Sequence, residues 1–228
     1  MIPHARDALK PKLDWIKAEI FKHDPDEPLI LHRTDIVQRK RQFGVLNDDD
    51  KRALFDKAIL RIIRGSEYRV ITALIDKRGM VNQPHWDNKH PYHYLMEILV
   101  EKYAQFLERQ HQTGDIMPEG RKKPKDGQLQ SAYEKVRANG TFYVSASRIQ
   151  AAIPYPNLKF RFKPDNISGL QLCDLLAHPS HILTRVKMHH NNVQMGGFCE
   201  LVADELWAHK YDRGNNGSVI GYGMKWLP

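Results

Sequence analysis

Cysteine is scarce in this sequence, and long apolar runs are missing from it. Cys173 and Cys199 are too few for a disulfide framework, and their spacing is not that of a metal site. No run approaches the roughly 18 apolar residues that span a bilayer. No basic stretch followed by an apolar one opens the chain, as it would in a secretory signal. We therefore expect a cytoplasmic protein with reduced cysteines and no membrane partner.

Internal repeats and low-complexity linkers are also missing from the 228 residues. This length suits one substantial domain or two small ones, and without a linker we predict a single domain over residues 1–228. The net charge is +8. A basic surface attracts polyanions, so DNA or RNA is a plausible partner, and the alternative is a protein that is basic without a nucleic-acid role.

The pattern of apolar residues indicates helices that alternate with strands. Helical spacing occurs in "ARDALKPKLDWIKAEIF" and "YHYLMEILVEKYAQFLERQ". The stretch "NDDDKRALFDKAILRIIRG" predicts a helix that is capped by Asn47 or Asp48 and ends at Gly65. The stretch "YRVITALIDK" predicts a buried strand, and "DIMPE", "TFYVSA" and "LKFRF" predict short ones. This alternation indicates the α/β class.

The stretch "NISGLQLCDLLAHPS", residues 166–180, places a carboxylate in an apolar helix. We expect Asn166 or Ser168 to cap this helix and Pro179 to kink it. Gln171, Asp174 and His178 then lie on one face. A carboxylate beside a core is costly unless it is paired or binds a cation, so Asp174 either binds a metal or is bonded to a neighbouring backbone group or arginine.

Two further acids flank a basic turn. Glu119 ends the predicted strand "DIMPE", and Asp126 lies in "GRKKPKD" just after it. Read alone, Glu119 is a solvated turn residue and Asp126 a helix cap. Carboxylates from separate elements can instead hold Mg²⁺ or Mn²⁺ and activate water for phosphodiester hydrolysis.

Histidines offer a rival, zinc-dependent chemistry. None of their spacings matches a strong zinc motif such as HExxH, and solvated or core-edge histidines are the plainer interpretation. The candidates are His90, His93, His178, His181, His189 and His190.

The order of several motifs resembles that of the DUF3800 family. The segments are "LILHRTDI", "VITALIDK", "PYHYLMEILVEKYAQFLER", "GDIMPEGR", "FKPDNISGLQLCDLLAHP" and "GYGMKWLP". The resemblance implies a ribonuclease H-like mixed sheet flanked by helices and a metal-dependent nuclease. It places metal-binding, catalytic carboxylates at Glu119 and Asp174, with Asp126 as a third acid. It implies substrate-binding or orienting roles for Lys163, Asn166 and Gln171, and a small core residue at Cys173, where the family has alanine. His178, which lies on the same face as Gln171, could also position water or substrate.

The chain departs from the family at its beginning. Members open with a strand that carries "DES" and the first metal-binding aspartate, and no "DES" occurs here. We expect either that Met1 is an internal methionine of a longer protein, which the retained motifs favour, or that the chain is a truncated relative. Activity of the chain as given should be weak or absent, and an open sheet edge could promote homodimers. The alternatives are a non-catalytic module that binds nucleic acid or protein, and a zinc hydrolase.

Overall fold

The computed structural model describes residues 3–24, 27–80, 91–121, 123–188 and 193–227, with side chains from Asp7 onward. His90, His189 and His190, and most of the loop predicted over residues 78–91, lie outside these residues. The helices are α1 (Pro3–Phe21), α2 (Arg33–Val37), α3 (Asp49–Gly65), α4 (Lys77–Met80), α5 (Pro91–Arg109), α6 (Lys123–Asn139), α7 (Ala146–Ala152), α8 (Ser168–Lys187) and α9 (Gly197–Glu205), and the strands are β1 (Thr72–Ile75) and β2 (Met224–Leu227). Short 3₁₀ turns cover Arg41–Asn47 and Lys163–Asp165, and a π-helical turn covers Leu206–Lys210.

The fold is α/β and mostly helical, with 63% of the described residues in helices. Strands β1 and β2 pair in parallel, with Thr72 opposite Met224 and Ile75 opposite Leu227. Among the described residues the sheet has these two strands, so it is smaller than the mixed sheet that was predicted. The α/β class is thus confirmed.

The chain divides into two compact units, each made of two separate segments. Unit 1 contains residues Met1–Arg69 and Lys163–Lys210, and unit 2 contains Val70–Phe162 and Tyr211–Pro228. Each unit has its own apolar interior. The prediction of a single domain stays a prediction.

Unit 1 is a cluster of helices around α1. Helix α1 packs against α3 and α8, and α9 packs against α3 and α8. The residues of α1 that face this interior recur at helical spacing, which is why the amphipathic pattern in the sequence was informative. The buried residues include Leu9, Leu13, Ile16 and Ile20 of α1, Phe55, Ile59, Ile62 and Ile63 of α3, Leu172 and Leu176 of α8, and Val202 and Ala203 of α9.

Both ends of α3 are stabilised by specific contacts. Asp48 accepts a hydrogen bond from the Lys51 N–H, as the predicted N-cap, and the helix ends at Gly65 as predicted. Lys210 is 7% exposed, and its ammonium donates to the carbonyl oxygens of Arg64 and Ser66, each at 2.9 Å. A cation at these carbonyls satisfies acceptors that the end of a helix leaves unpaired.

Unit 2 has a core formed by α5, α6 and α7. Helix α5 packs against the other two and against β1. Tyr133 is 1% exposed, and its hydroxyl donates to the Tyr155 carbonyl at 2.7 Å, which satisfies the polar end of a buried ring. The core residues are Met96, Val100, Ala104, Leu107, Ala132, Tyr133, Val136, Val144, Ile149, Ala152, Ile153 and Leu158.

The predicted strand "TFYVSA" was wrong. The Thr141 hydroxyl accepts hydrogen bonds from the Tyr143 and Val144 N–H groups, so the chain turns here. Such side-chain to backbone bonds compete with strand formation. The turn ends at Ser145, which caps α7. The predicted strand had included Ala146, the first residue of this helix.

The predicted strands "DIMPE" and "LKFRF" run beside each other as a short parallel ladder. The Lys159 N–H donates to the Ile116 carbonyl at 2.9 Å, and the Gly120 N–H donates to the Arg161 carbonyl at 2.7 Å. Glu119 and Arg161 form an isolated bridge rather than part of a regular strand. The two segments are therefore paired as extended chain but are too irregular to form strands.

Candidate functional site

The polar face predicted on α8 exists, and it holds another segment of the backbone. Gln171 Oε1 accepts a hydrogen bond from the Leu31 N–H at 2.9 Å. One turn further along, Asp174 Oδ2 accepts from the Arg33 N–H at 2.7 Å. Arg33 is the first residue of α2, so the Asp174 carboxylate satisfies an N–H that the start of this short helix leaves unpaired.

Asn166 joins Gln171 in the same network but does not cap α8. The residue before α8 is Ile167, which makes no side-chain cap, so both predicted caps, Asn166 and Ser168, were wrong. Asn166 has φ +52°, in the left-handed region that asparagine tolerates better than most residues. Its Oδ1 accepts from Gln171 Nε2 at 2.7 Å and from Lys17 Nζ at 2.9 Å.

Lys17 is a member of this network that the sequence interpretation missed. Its side chain is 3% exposed, and its nearest carboxylate, Asp14, lies 3.9 Å away. Burial lowers the pKa of Lys17 to about 8, and the charge of Asp14 opposes this shift. The sequence did contain a signal, because Lys17 follows Leu13 by four residues and precedes Ile20 by three, on the apolar face.

Two further residues of α8, His178 and Cys173, also had predicted roles. His178 is half-buried, and burial, together with nearby Arg33, lowers the pKa of its imidazole. His178 is therefore a mainly neutral ring at pH 7, able to accept or donate a hydrogen bond. Cys173 is exposed, so the predicted core role of this residue was wrong, because its position faces away from the apolar stripe.

A groove of about 610 Å³ lies in unit 1 beside the segment that α8 holds. The predicted substrate-binding residue Lys163 lines it, together with Lys40 and Arg41. Arg39 and Arg41 have φ +52° and +51°, a left-handed backbone that turns the chain sharply on either side of Lys40. The remaining lining residues are Glu27, Pro28, Leu29, Ile30, His32, Asp35, Gln42 and Phe43.

Asp35 organises the cations along this groove. His32 Nδ1 lies 2.9 Å from Asp35 Oδ2, and Lys40 Nζ lies 3.6 Å from Asp35 Oδ1. The hydrogen bond from His32 lowers the pKa of Asp35, burial opposes this, and the charges of Lys40 and Lys163 lower it further. The groove is therefore lined by two acids, Glu27 and Asp35, by three exposed cations and by a histidine.

Glu119 and Asp126 lie in unit 2, around Arg121. Glu119 is exposed, and Asp126 Oδ1 accepts from the Arg121 N–H at 3.0 Å, just before α6. Asp126 therefore lies in the first turn of α6 and binds a backbone N–H before the helix, so it is not the helix cap that the sequence offered as an alternative. Both carboxylates favour the charged form of Arg121 and raise its pKa, after the larger effect of its hydrogen bond to Tyr92.

The predicted site residues thus fall into two groups. Within unit 1 the structure connects Asn166 and Gln171 directly, and Gln171 and Asp174 bind neighbouring residues of one segment, while Lys163 lines the groove. Among the residues that the structure describes, no group of three or more His, Cys, Asp or Glu side chains is arranged to hold a metal ion. The predicted roles of Glu119 and Asp174 as ligands of Mg²⁺ or Mn²⁺ stay predictions.

Comparisons with known proteins found no match to this chain. No protein-family model, no curated protein and no solved structure matches the chain. None of the helices in the described part of the chain has the length and apolar character needed to cross a membrane.

Proposed function

We propose that the protein binds nucleic acid, with unit 1 contacting the phosphate backbone along the groove of Lys40, Arg41 and Lys163. The groove itself is the observation that carries this proposal, because three cations from two separate segments line it, against two acids. Phosphate contacts by lysine and arginine supply most of the sequence-independent affinity of proteins for nucleic acid. The net charge of +8 supports the same partner.

The polar face of α8 supports binding indirectly. Gln171 and Asp174 fix the backbone of residues 31–33, and that segment continues into one wall of the groove. Asn166 and Lys17 belong to the same hydrogen-bond network. In this proposal these residues position the groove, and Lys163 is the member of the predicted set that contacts the ligand.

Metal-dependent cleavage is the second candidate function, and Asp174 is the observation that favours it. This half-buried carboxylate is held in one orientation by the Arg33 N–H, and His178 lies one turn further along α8. A relation to the DUF3800 family, with a ribonuclease H-like arrangement and carboxylates at Glu119 and Asp174, belongs to this second candidate.

Binding and cleavage can be separated with labelled single- and double-stranded DNA and RNA of about 20 nucleotides. Fluorescence anisotropy measures the affinity of the wild type, of Lys40→Ala/Lys163→Ala, and of Lys51→Ala/Lys57→Ala. The last variant removes the same charge from exposed positions on α3 that do not line the groove. We expect the groove variant to bind more weakly than this control.

Equal affinity of the two double variants would show that the groove is not the contact surface. Incubation of the same oligonucleotides with Mg²⁺, Mn²⁺ or EDTA tests cleavage. Cleavage that is lost in EDTA and in Asp174→Asn supports the second candidate. Binding without cleavage in every metal supports the first alone.

A further inference from the structure

Two exposed aromatic rings flank one short turn of unit 2. Tyr92 is 49% exposed and Phe162 is 48% exposed. The Phe162 ring lies against Gly120, where an added Cβ would stand 2.5 Å from a ring carbon. Glycine therefore allows this ring to rest directly on the backbone, which fixes it while about half of its surface faces solvent.

Arg121, the next residue, fixes the second ring. Its Nη1 donates to the Tyr92 hydroxyl at 3.1 Å, and its guanidinium carbon lies 5.3 Å from the centroid of the Tyr92 ring. This combination of a hydrogen bond and a cation–π contact orients both groups. Tyr92, Gly120, Arg121 and Phe162 together are called the aromatic patch below.

The surroundings of the aromatic patch are rich in cations. Arg161 precedes Phe162, and the charges of Lys77 and Lys125 reach Tyr92. Two acids, Glu119 and Asp126, lie around Arg121. The described charges near the patch thus include more cations than acids, and they complement a polyanion rather than an apolar or basic protein surface.

We propose that the aromatic patch binds single-stranded nucleic acid by stacking unpaired bases on Tyr92 and Phe162, with Arg121 contacting a phosphate. Proteins that bind single strands without sequence preference commonly stack the bases on aromatic side chains that lie among cations. A duplex hides the faces of its bases inside the stack, so these rings favour single strands. This inference rests on the proposed nucleic-acid binding and adds the strand type that is preferred.

The test uses the full chain and a fluorescein-labelled 15-nucleotide thymidine oligomer, with a DNA duplex of the same length as the second probe. The variants are Tyr92→Ala, Phe162→Ala and their combination, and Phe162→Trp keeps a large ring. Phe142→Ala is the matched control, since Phe142 is 91% exposed in unit 2 and its ring packs edge-on against Tyr143. Circular dichroism confirms that each variant folds.

We expect each ring removed to weaken binding of the thymidine oligomer by about tenfold. Duplex affinity, the Phe142→Ala control and Phe162→Trp should stay within about twofold of the wild type, which is small on this scale. Ring variants that bind the oligomer like the wild type, or lose duplex affinity equally, overturn the inference while nucleic-acid binding stands. A wild type that binds neither probe overturns the proposed function and this inference with it.

Gly120→Ala provides a second, independent measurement. The added methyl group would displace the Phe162 ring, while the backbone of residue 120 needs no left-handed φ and can accept alanine. We expect weaker binding of the thymidine oligomer with little change in the free energy of unfolding. Unchanged affinity in a folded variant contradicts the assignment of Phe162.

Discussion

Lys17 is a buried cation whose partners compensate only part of the cost of its burial. Asn166 Oδ1 accepts from it, and the Asp14 carboxylate is 3.9 Å away. The ammonium therefore loses water and gains one good hydrogen bond, and its pKa falls to about 8. Gln171 also donates to Asn166, so the network does not depend on the lysine alone.

Replacing Lys17 by methionine should stabilise unit 1 at neutral pH. The pKa of Lys17 is lowered on folding, so the unfolded chain binds a proton that the folded chain lacks between pH 8 and pH 10.5. The free energy of unfolding of the wild type therefore rises with pH across this window, and below it the cost of the charge is about 3 kcal/mol at most.

Urea denaturation of Lys17→Met and wild type at pH 7 and pH 10.5 measures this difference. We expect the variant to be more stable at pH 7 and the difference to shrink at pH 10.5. Lys57→Met, an exposed change on α3, is the control and should show no such dependence. A difference that stays constant with pH would contradict the burial cost.

At the scale of elements, α3 was predictable because its signals are local. Asp48 caps it, acids fill its first turn and Gly65 ends it, all within the helix or beside it in sequence. The turn at "TFYVSA" was not predictable from β-propensity, since the Thr141 hydroxyl bonds two N–H groups and also donates to Glu101, 40 residues earlier.

The roles of the α8 residues show the same limit. Periodicity placed Gln171 and Asp174 on one face, but their partners, Leu31 and Arg33, are 140 and 141 residues away in the chain. A sequence can therefore indicate that a polar face exists without indicating what it binds. The position of Lys17, in contrast, could have been predicted from periodicity, since it lies on the apolar face of α1.

Gln171→Leu tests whether α8 holds residues 31–33 in place. Gln171 is 4% exposed, so leucine would leave the buried Leu31 N–H without its acceptor, at a cost of about 1–3 kcal/mol. Denaturation in urea measures the loss, and hydrogen exchange should report faster exchange at Leu31. Cys173→Ala, an exposed change on the same helix, should stay within about 0.5 kcal/mol of the wild type.

For the molecule as a whole, the chain alternates between two units that are both discontinuous. In the sequence, residues 70–162 of unit 2 come between the two segments of unit 1. Residues 211–228 follow the second segment of unit 1 and complete unit 2. Neither unit corresponds to one stretch of sequence, so the composition along the chain gave no sign of the division. The net positive charge, in contrast, was evident from the sequence.

The salt dependence of the binding constant should report how many phosphates the protein contacts. The logarithm of the binding constant should fall linearly with the logarithm of the salt concentration. Removing Lys40 and Lys163 should reduce the magnitude of the slope by about 0.7–0.9 for each lysine that contacts a phosphate. Anisotropy titrations from low to physiological salt measure the slope, and an unchanged slope in the double variant would show that neither lysine contacts phosphate.

The exposure of Cys173 has a practical consequence for following helix α8 in solution. Burial raises the pKa of the Cys199 thiol, which makes this cysteine the poorer nucleophile near neutral pH. A maleimide dye should therefore attach first to Cys173, one residue from Asp174 and two from Gln171. The protein thus carries, without any substitution, an attachment point for a reporter beside the network that supports the groove.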